Sequence, residues 1–195
     1  MLKIKLLKKS RVMIMGTMMF LPLFPLLLGD YILGAGQSEL TQKNFEIKSE
    51  AFRNDAFIPV RYSSTRKGCN VSPPLEWENV PDGTESLALI VEDTDAPFVI
   101  THWILYNIPA DQSGLPEGIP KQKLFTDGMI QGKNIFYQNA YIGPSPPFGK
   151  HHYHFNLYAL DTQLKPDPSM NRKKLLKAME GHTRAKAQLI GCYSN

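Results

Sequence analysis

Three short apolar stretches, with turn residues between them, have the pattern of buried β-strands. They cover residues 87–91, 103–108 and 153–160. Each is shorter than an ordinary helix, and two of them are rich in aromatic or β-branched residues, which favour strands. A fourth stretch, residues 45–52, alternates partly between apolar and polar positions and predicts a first strand. The pattern therefore predicts a mainly β protein, built as a sandwich of sheets.

One segment near the C-terminus has the pattern of a helix. Asp167 is suited to cap the first turn, Pro168 fits that turn because its φ is fixed, and Gly181 suits the C-terminal cap. The apolar stripe of this helix consists of Leu175, Leu176 and Met179. Its basic side chains are expected to form a solvated face, and they are Arg172, Lys173, Lys174 and Lys177.

Proline and glycine are concentrated in three segments, residues 72–74, 115–118 and 143–149. Proline fixes φ and has no backbone N–H to donate. These segments therefore predict rigid loops, not hydrogen-bonded strands.

The N-terminal 36 residues have the pattern of an export signal. Residues 1–11 are basic, residues 12–28 carry no charge, and small residues at 34–36 offer a cleavage site. An uncleaved membrane anchor is the alternative, because residues 12–28 are nearly as long as the roughly 20 residues of a spanning helix. Either way, residues 37–195 are predicted to form one exported domain, which is periplasmic or secreted. In the anchored alternative, the N-terminus would attach this domain to the membrane.

The net positive charge of the chain comes from its N-terminal segment. The chain has 22 basic and 18 acidic residues, and five of the basic and one of the acidic residues lie within residues 1–36. The remaining 17 of each sign balance, so no nucleic-acid partner is predicted, because phosphate backbones require clustered Lys and Arg.

Cys69 and Cys192 are too few for a disulfide scaffold. The sequence leaves open whether they form one bridge, since that depends on their separation in space.

Candidate chemistry lies at the ends of the predicted strands. The acidic segment 92–97 follows one strand, and His102 opens the next. Residues 151–154 read His-His-Tyr-His, and in an extended chain His151 and Tyr153 share one face. The two histidines on the other face are expected to be structural or solvent-facing.

These groups suit a small anion. Imidazole N–H and tyrosine O–H groups donate to phosphate oxygens, and charge-assisted bonds are stronger than neutral ones. Asp93 can orient an imidazole or meet an ammonium group, and the rigid loop at 143–149 would pre-organise the walls. Because this cluster holds no Lys or Arg, the predicted affinity is modest.

Several motifs occur in a characteristic order along residues 45–193. They comprise Gly68, Asn70, Ser72, Pro73, Pro74, Leu75 and Trp77; Asp93, Asp95, Ala96 and Pro97; His102, Trp103, Asn107, Ile108 and Pro109; the loop 143–149; His151 and Tyr153; and Gly181 and His182. The series resembles the phosphatidylethanolamine-binding protein (PEBP) family, and within it the bacterial branch often called Raf kinase inhibitor-like.

The resemblance implies a mainly β fold, a PEBP-like β-sandwich with a few peripheral helices, over residues 37–195. It implies a non-enzymatic protein that binds a phosphate-bearing small molecule or a phospholipid headgroup such as phosphoethanolamine, with no metal and no cofactor. The implied ligand-binding residues are Asp93, His102, Gly143, Pro146, His151 and Tyr153. Two residues depart from the family pattern: Thr94 replaces a usual proline, which could loosen its loop, and Ser145 stands where bacterial relatives often have cysteine.

The same sequence offers three alternatives to this function. Relatives of this family are associated with protease or kinase inhibition, so a regulatory role is the main alternative. A metal-dependent enzyme would use Asp93, His102 and His151, but no metal-binding spacing supports it. A serine hydrolase at Ser145 is disfavoured, because a nucleophile elbow needs a glycine two residues later, where this chain has Pro147.

Overall fold

The fold was analysed in a computed structural model that describes residues 44–195, so the predicted export signal or anchor lies outside the described residues. In chain order the elements are β1 (Glu46–Lys48), β2 (Ala56–Phe57), a 3₁₀ turn (Val60–Tyr62), β3 (Leu75–Glu78), β4 (Ser86–Asp93), β5 (Ile100–Pro109), β6 (Gly114–Leu115), β7 (Ile130–Gln131), β8 (Lys150–Leu160), α1 (Arg172–Ala178) and β9 (Thr183–Ser194). The prediction of a mainly β protein is confirmed. No helix among these residues is both long and apolar enough to span a bilayer.

Two sheets of the described region enclose the main core. The larger sheet has the order β2-β9-β8-β4-β5-β7, with β2 parallel to β9 and the other pairs antiparallel, and the smaller sheet has the order β1-β3-β6. Leu75 and Trp77 of the small sheet pack in one cluster with Leu89 and Phe155 of the large sheet. The sandwich prediction is therefore confirmed, and Trp77 lies in the core as expected.

Strand β4 is buried along its whole length because both faces of the large sheet are covered. Leu89 packs into the core between the sheets, and Ile90 packs into a second cluster that contains Leu175 of α1. The same alternation directs Asp93 to the sandwich side. Glu92 lies on the helix side and pairs with Arg172, so Arg172 does not belong to a fully solvated face as predicted. This ion pair helps to fix α1 on the sheet.

Helix α1 begins later than the sequence pattern predicts. Asn171 caps it, since its side-chain oxygen accepts a hydrogen bond from the Lys174 N–H at 3.0 Å. The prediction of Asp167 as the cap is wrong, because its carboxylate accepts from the Ser169 N–H at 2.8 Å and closes a separate turn. Beyond the helix, Gly181 has a φ of 78° and so takes the left-handed conformation typical of such turns.

The remaining elements differ from the predictions in detail. The three predicted buried strands appear as β4, β5 and β8, whereas the first predicted strand is reduced to the three residues of β1. Leu115, predicted in a loop, belongs to β6, where it pairs with Leu75. Strand β9 was not predicted. Cys69 is exposed and Cys192 is buried, and both are free thiols in this structure.

Candidate functional site

A cavity of about 590 Å³ opens at one end of the inner strands of the large sheet. There the last residue of β4 meets the beginnings of its two antiparallel neighbours, so that Asp93 lies opposite Ile100 of β5 and Tyr153 of β8. The loops that follow β4 and precede β8 form most of the remaining wall. The cavity is lined by all six residues of the predicted site, which are Asp93, His102, Gly143, Pro146, His151 and Tyr153.

Asp93 and His151 form a buried pair on the floor of this cavity. The Nδ1–H of His151 donates to Oδ2 of Asp93 at 2.7 Å, and the side chains are only 4% (Asp93) and 11% (His151) exposed. The other oxygen of Asp93 accepts from the Asp95 N–H at 2.9 Å. The carboxylate thus fixes the imidazole ring through one nitrogen and leaves Nε2 of His151 for a ligand.

His102 reaches the cavity because of an irregularity in β5. Val91 pairs with Trp103, but its neighbour Glu92 pairs with Thr101, so His102 is one residue in excess. A bulge of this kind changes the face to which a side chain points. Strict alternation from Trp103, which packs between the sheets, would have directed His102 to the helix side.

The ring of His102 is buried and neutral in the unliganded site. Burial lowers the pKa of His102 below its usual value of 6.5, and the ring hydrogen-bonds through Nδ1 to the carbonyl oxygen of Ile142 at 2.8 Å. A carbonyl only accepts, so the proton of the neutral ring lies on Nδ1. Nε2 therefore carries a lone pair, and it is buried without a hydrogen-bond partner among the described residues. Such an orphaned atom indicates a place where a ligand supplies the partner.

Tyr153 completes the polar floor. Its ring meets the ring of His102 edge to face, with centroids 5.1 Å apart. Burial, and next the charge of Asp93, raise the pKa of Tyr153. The phenol therefore keeps its proton at neutral pH and remains a hydrogen-bond donor.

The loop at 143–149 is held against an earlier segment of the chain by close backbone contact. A Cβ atom on Gly143 would lie 2.0 Å from the carbonyl oxygen of Tyr62, so only glycine fits there. The N–H of Gly143 donates to the side chain of Asn70 at 2.8 Å, and its carbonyl accepts from Ser64 Oγ at 2.8 Å. Gly143 thus shapes the cavity through its backbone. The sequence analysis did not assign Ser64 to the site, although it also lines the cavity.

The acidic loop after β4 is fastened to β8 by both of its aspartates. Asp93 binds His151, and Oδ2 of Asp95 accepts from the backbone N–H of His152 at 2.8 Å and from its Nδ1 at 2.5 Å. The hydrogen bond from the His152 side chain is the main reason that the pKa of Asp95 is lowered. His152 is therefore structural, as expected, and the loop is fixed although Thr94 replaces a proline.

The cavity has an unusual balance of charge for an anion site. Its lining contains two carboxylates, Asp93 and Asp95, and two imidazoles, but no Lys or Arg. A bare multiply charged anion would meet no permanent cation there. A ligand that carries both a phosphate and a positive group matches the lining better, because the imidazoles can bind the phosphate and the carboxylate of Asp95 the cation. Within residues 44–195 there is no cluster of three His, Cys, Asp or Glu side chains able to hold a metal ion.

Comparison with known proteins assigns the family. Residues 48–194 match the family described as phosphatidylethanolamine-binding protein. The chain belongs to the PEBP family. Its fold is accordingly one that binds ligands.

Relatives in this family occur in archaea and bacteria. A UPF0098 protein from Methanothermobacter thermautotrophicus is 47% identical over 148 residues, which are 75% of this chain and 97% of the relative. A UPF0098 protein from Pyrococcus horikoshii is 44% identical over 172 residues, or 86% of this chain and 83% of the relative. Since these relatives are archaeal, the resemblance to the bacterial branch does not establish a bacterial origin.

Two crystal structures of PEBP relatives share the fold. A PEBP homologue from Chlamydia trachomatis has a TM-score of 0.71 and 38% identity, covering 77% of this chain and 97% of the homologue. YbcL from Escherichia coli, described as a member of the mammalian PEBP family, has a TM-score of 0.71 and 32% identity, covering 77% of this chain and 98% of YbcL.

Proposed function

We propose that this PEBP-family protein binds a phosphate-bearing small molecule, a headgroup of the phosphoethanolamine type, without altering it chemically. The observation that carries the proposal is the convergence of Asp93, His102, His151 and Tyr153 on one cavity, with His151 oriented by Asp93 and His102 left without a partner at Nε2. The phenol of Tyr153 would donate to a phosphate oxygen. Nε2 of His151 would donate as well when the ring carries both protons, since its Nδ1–H is already bonded to Asp93.

The charges of the lining favour a zwitterion over a simple anion. Asp93 already accepts two hydrogen bonds, from His151 and from the Asp95 backbone. Asp95 also accepts two hydrogen bonds, but both reach Oδ2 from His152, whereas the two on Asp93 occupy both of its oxygens. With its side chain 38% exposed at the cavity wall, Asp95 is therefore the carboxylate better placed to meet an ammonium group. With no Lys or Arg in the lining, the affinity should be modest.

The chemistry of the lining supports binding without reaction. Ser145 is the exposed hydroxyl at the cavity wall, and it lies in an irregular loop followed by Pro146 and Pro147. A serine nucleophile is normally presented at a sharp turn from a strand into a helix, which this loop does not form. The raised pKa of Tyr153 also keeps its phenol protonated and makes it a poor nucleophile.

Calorimetric titration with four compounds tests the proposed function. Phosphoethanolamine should bind about tenfold more tightly than inorganic phosphate, since it adds a charge-assisted bond, and more tightly than sulfate or ethanolamine. Phosphorus NMR of the same mixture should show unchanged phosphoethanolamine after prolonged incubation. Absence of binding would refute the ligand class, and release of phosphate would refute the non-enzymatic role.

Binding should strengthen as the pH falls, because His102 must gain a proton before its Nε2 can donate to phosphate. The low pKa of His102 means that the unfolded chain takes up this proton first, so acid below about pH 6.5 destabilises the free protein. A bound phosphate favours the charged ring of His102 and so opposes this destabilisation by acid. Glycerophosphoethanolamine is the suitable probe, since its phosphodiester does not titrate near neutrality.

The expected result is a rise in its affinity of up to about tenfold per pH unit between pH 7.5 and pH 5.5. The charged and titratable neighbours of His102 are Asp93, His151 and Tyr153. The variant His102→Gln keeps these neighbours and should give a shallower profile than the wild type. A wild-type affinity that is constant or falls with acid would contradict this role of His102.

A further inference from the structure

The mouth of the cavity carries exposed aromatic side chains that binding of a headgroup does not require. Phe98, Phe136 and Phe148 line the cavity and are 65%, 62% and 78% exposed, and Tyr137 beside Phe136 is 78% exposed. These four residues are here called the aromatic collar. Phe98 lies in the loop between β4 and β5, and the other three lie in the connection between β7 and β8. Exposed apolar groups clustered around a ligand site indicate contact with a partner surface.

One part of the collar is held rigidly outward. The side-chain oxygen of Asn134 accepts from the N–H groups of Phe136 and Gln138, both at 3.0 Å, and its amide donates to the carbonyl oxygen of Ala140 at 3.0 Å. Tyr137 has a φ of 59°, a conformation that is costly for a bulky residue. The hydrogen bonds of Asn134 therefore hold the strained backbone that carries two adjacent exposed aromatic side chains.

Basic side chains lie beside the collar. Arg66 and Lys67 line a groove that shares Ser145 with the ligand cavity, and Lys150 follows Phe148 by two residues. All three are exposed, and within residues 44–195 none of them pairs with a carboxylate. Their charges complement an anionic surface.

We propose that the aromatic collar docks on a phospholipid bilayer while the headgroup of one lipid enters the cavity, an inference that rests on the proposed function. In such a lipid the phosphate is bonded to glycerol, and the glycerol carries the acyl chains, which lead out of the cavity. The residues around the mouth of the cavity must therefore face the boundary of the hydrocarbon region. Aromatic side chains favour this boundary, and adjacent cations favour lipid phosphates. A protein partner would need no headgroup in the cavity.

Depth-sensitive fluorescence on the full chain tests this docking. The background variant Cys69→Ser leaves only the buried Cys192 as a native thiol within residues 44–195. In this background a nitrobenzoxadiazole label is attached to the cysteine introduced by Phe136→Cys or by Phe57→Cys. These positions are 62% and 61% exposed, but only Phe136 lines the cavity. With vesicles of phosphatidylethanolamine and phosphatidylglycerol, the label at position 136 should shift to the blue and be quenched by brominated acyl chains. The label at position 57 should do neither. Both proteins carry the same N-terminal segment, so it cannot cause the difference.

A second variant separates docking from headgroup binding. Tyr137→Asn removes an aromatic ring, and asparagine tolerates the positive φ. It should raise the lipid concentration for half-maximal shift at position 136 at least about threefold, while glycerophosphoethanolamine binds as before, since Tyr137 does not line the cavity.

Equal responses at positions 136 and 57, or no response at 136 while glycerophosphoethanolamine binds, would overturn the docking and leave the proposed function intact. Docking without any binding of glycerophosphoethanolamine would instead refute the headgroup site on which the docking proposal rests.

Discussion

Replacement of His151 by alanine is expected to weaken phosphoethanolamine binding by about ten- to a hundredfold. His151 is the donor whose ring is already fixed, by the 2.7 Å hydrogen bond from its Nδ1 to Asp93, so its Nε2 can meet a phosphate without reorganisation. Removal of the ring deletes one charge-assisted hydrogen bond to the ligand. It also releases the carboxylate of Asp93 inside the cavity, where that charge repels phosphate. Calorimetric titration of the variant measures both effects together.

Two further histidines of the same strand provide controls. His154 lies on the opposite face of β8 and does not line the cavity, so His154→Ala should bind within about twofold of wild type. His152→Ala keeps the backbone hydrogen bond to Asp95 and should lose little affinity. His151→Gln preserves much of the side-chain volume if the alanine variant is poorly folded. Wild-type affinity in both folded His151 variants would remove this residue from the site.

Replacement of Gly143 by alanine should damage both stability and binding. The added Cβ would lie 2.0 Å from the carbonyl oxygen of Tyr62 and 2.7 Å from the carbonyl carbon of Ser63. Both are backbone atoms, so the strain is relieved only if the loop at 143–149 moves away from its support. Overpacking of this kind costs about 3 kcal/mol in the free energy of unfolding. At about 2–4 °C per kcal/mol, the melting temperature should fall by about 6–12 °C.

A second glycine of the same loop serves as the control. A Cβ on Gly149 would meet nothing within 4 Å, and its φ of 72° is tolerated by asparagine. Gly149→Asn should therefore melt within about 2 °C of wild type, which corresponds to the small effect of most surface changes. If Gly143→Ala melts like this control and binds phosphoethanolamine normally, close backbone contact does not shape the cavity.

Much of the site follows from local sequence. Alternation along an extended chain predicted that His151 and Tyr153 share one face, and both line the cavity. His102 was a candidate because it opens a predicted strand, and the family resemblance assigned it to the site, although alternation from Trp103 would have directed it to the opposite face. The bulge that redirects it arises from pairing between β4 and β5, and no local pattern reports that pairing.

Other parts of the site depend on contacts that a single sequence does not display. Ser64 and Asn70 hold Gly143 from positions more than 70 residues away in the chain. The aromatic collar joins two connections, β4–β5 and β7–β8, and its phenylalanines have no shared spacing. Exposure of a phenylalanine runs against its usual burial, so the sequence pattern gives no signal for it.

The fold shows the same division between local and long-range information. Strand β4 was predicted because it is buried on both faces and therefore apolar throughout residues 87–91. Strand β9 was missed because Arg184, Lys186 and Gln188 alternate with small or apolar residues on its half-exposed portion. The side chains of Ala187 and Leu189 do carry the inward pattern, and that alternation was the available signal. Asp167 misled the helix prediction because Asp caps turns and helices alike.

A crystal structure of the protein grown with phosphoethanolamine would locate the bound headgroup and so test the proposed site. Phosphate oxygens are expected within about 3 Å of Nε2 of His151 and in contact with Tyr153, with the ammonium group towards Asp95. A phosphate bound instead in the groove of Arg66 and Lys67, or a cavity that stays free of phosphate at saturating ligand, would contradict the proposed site.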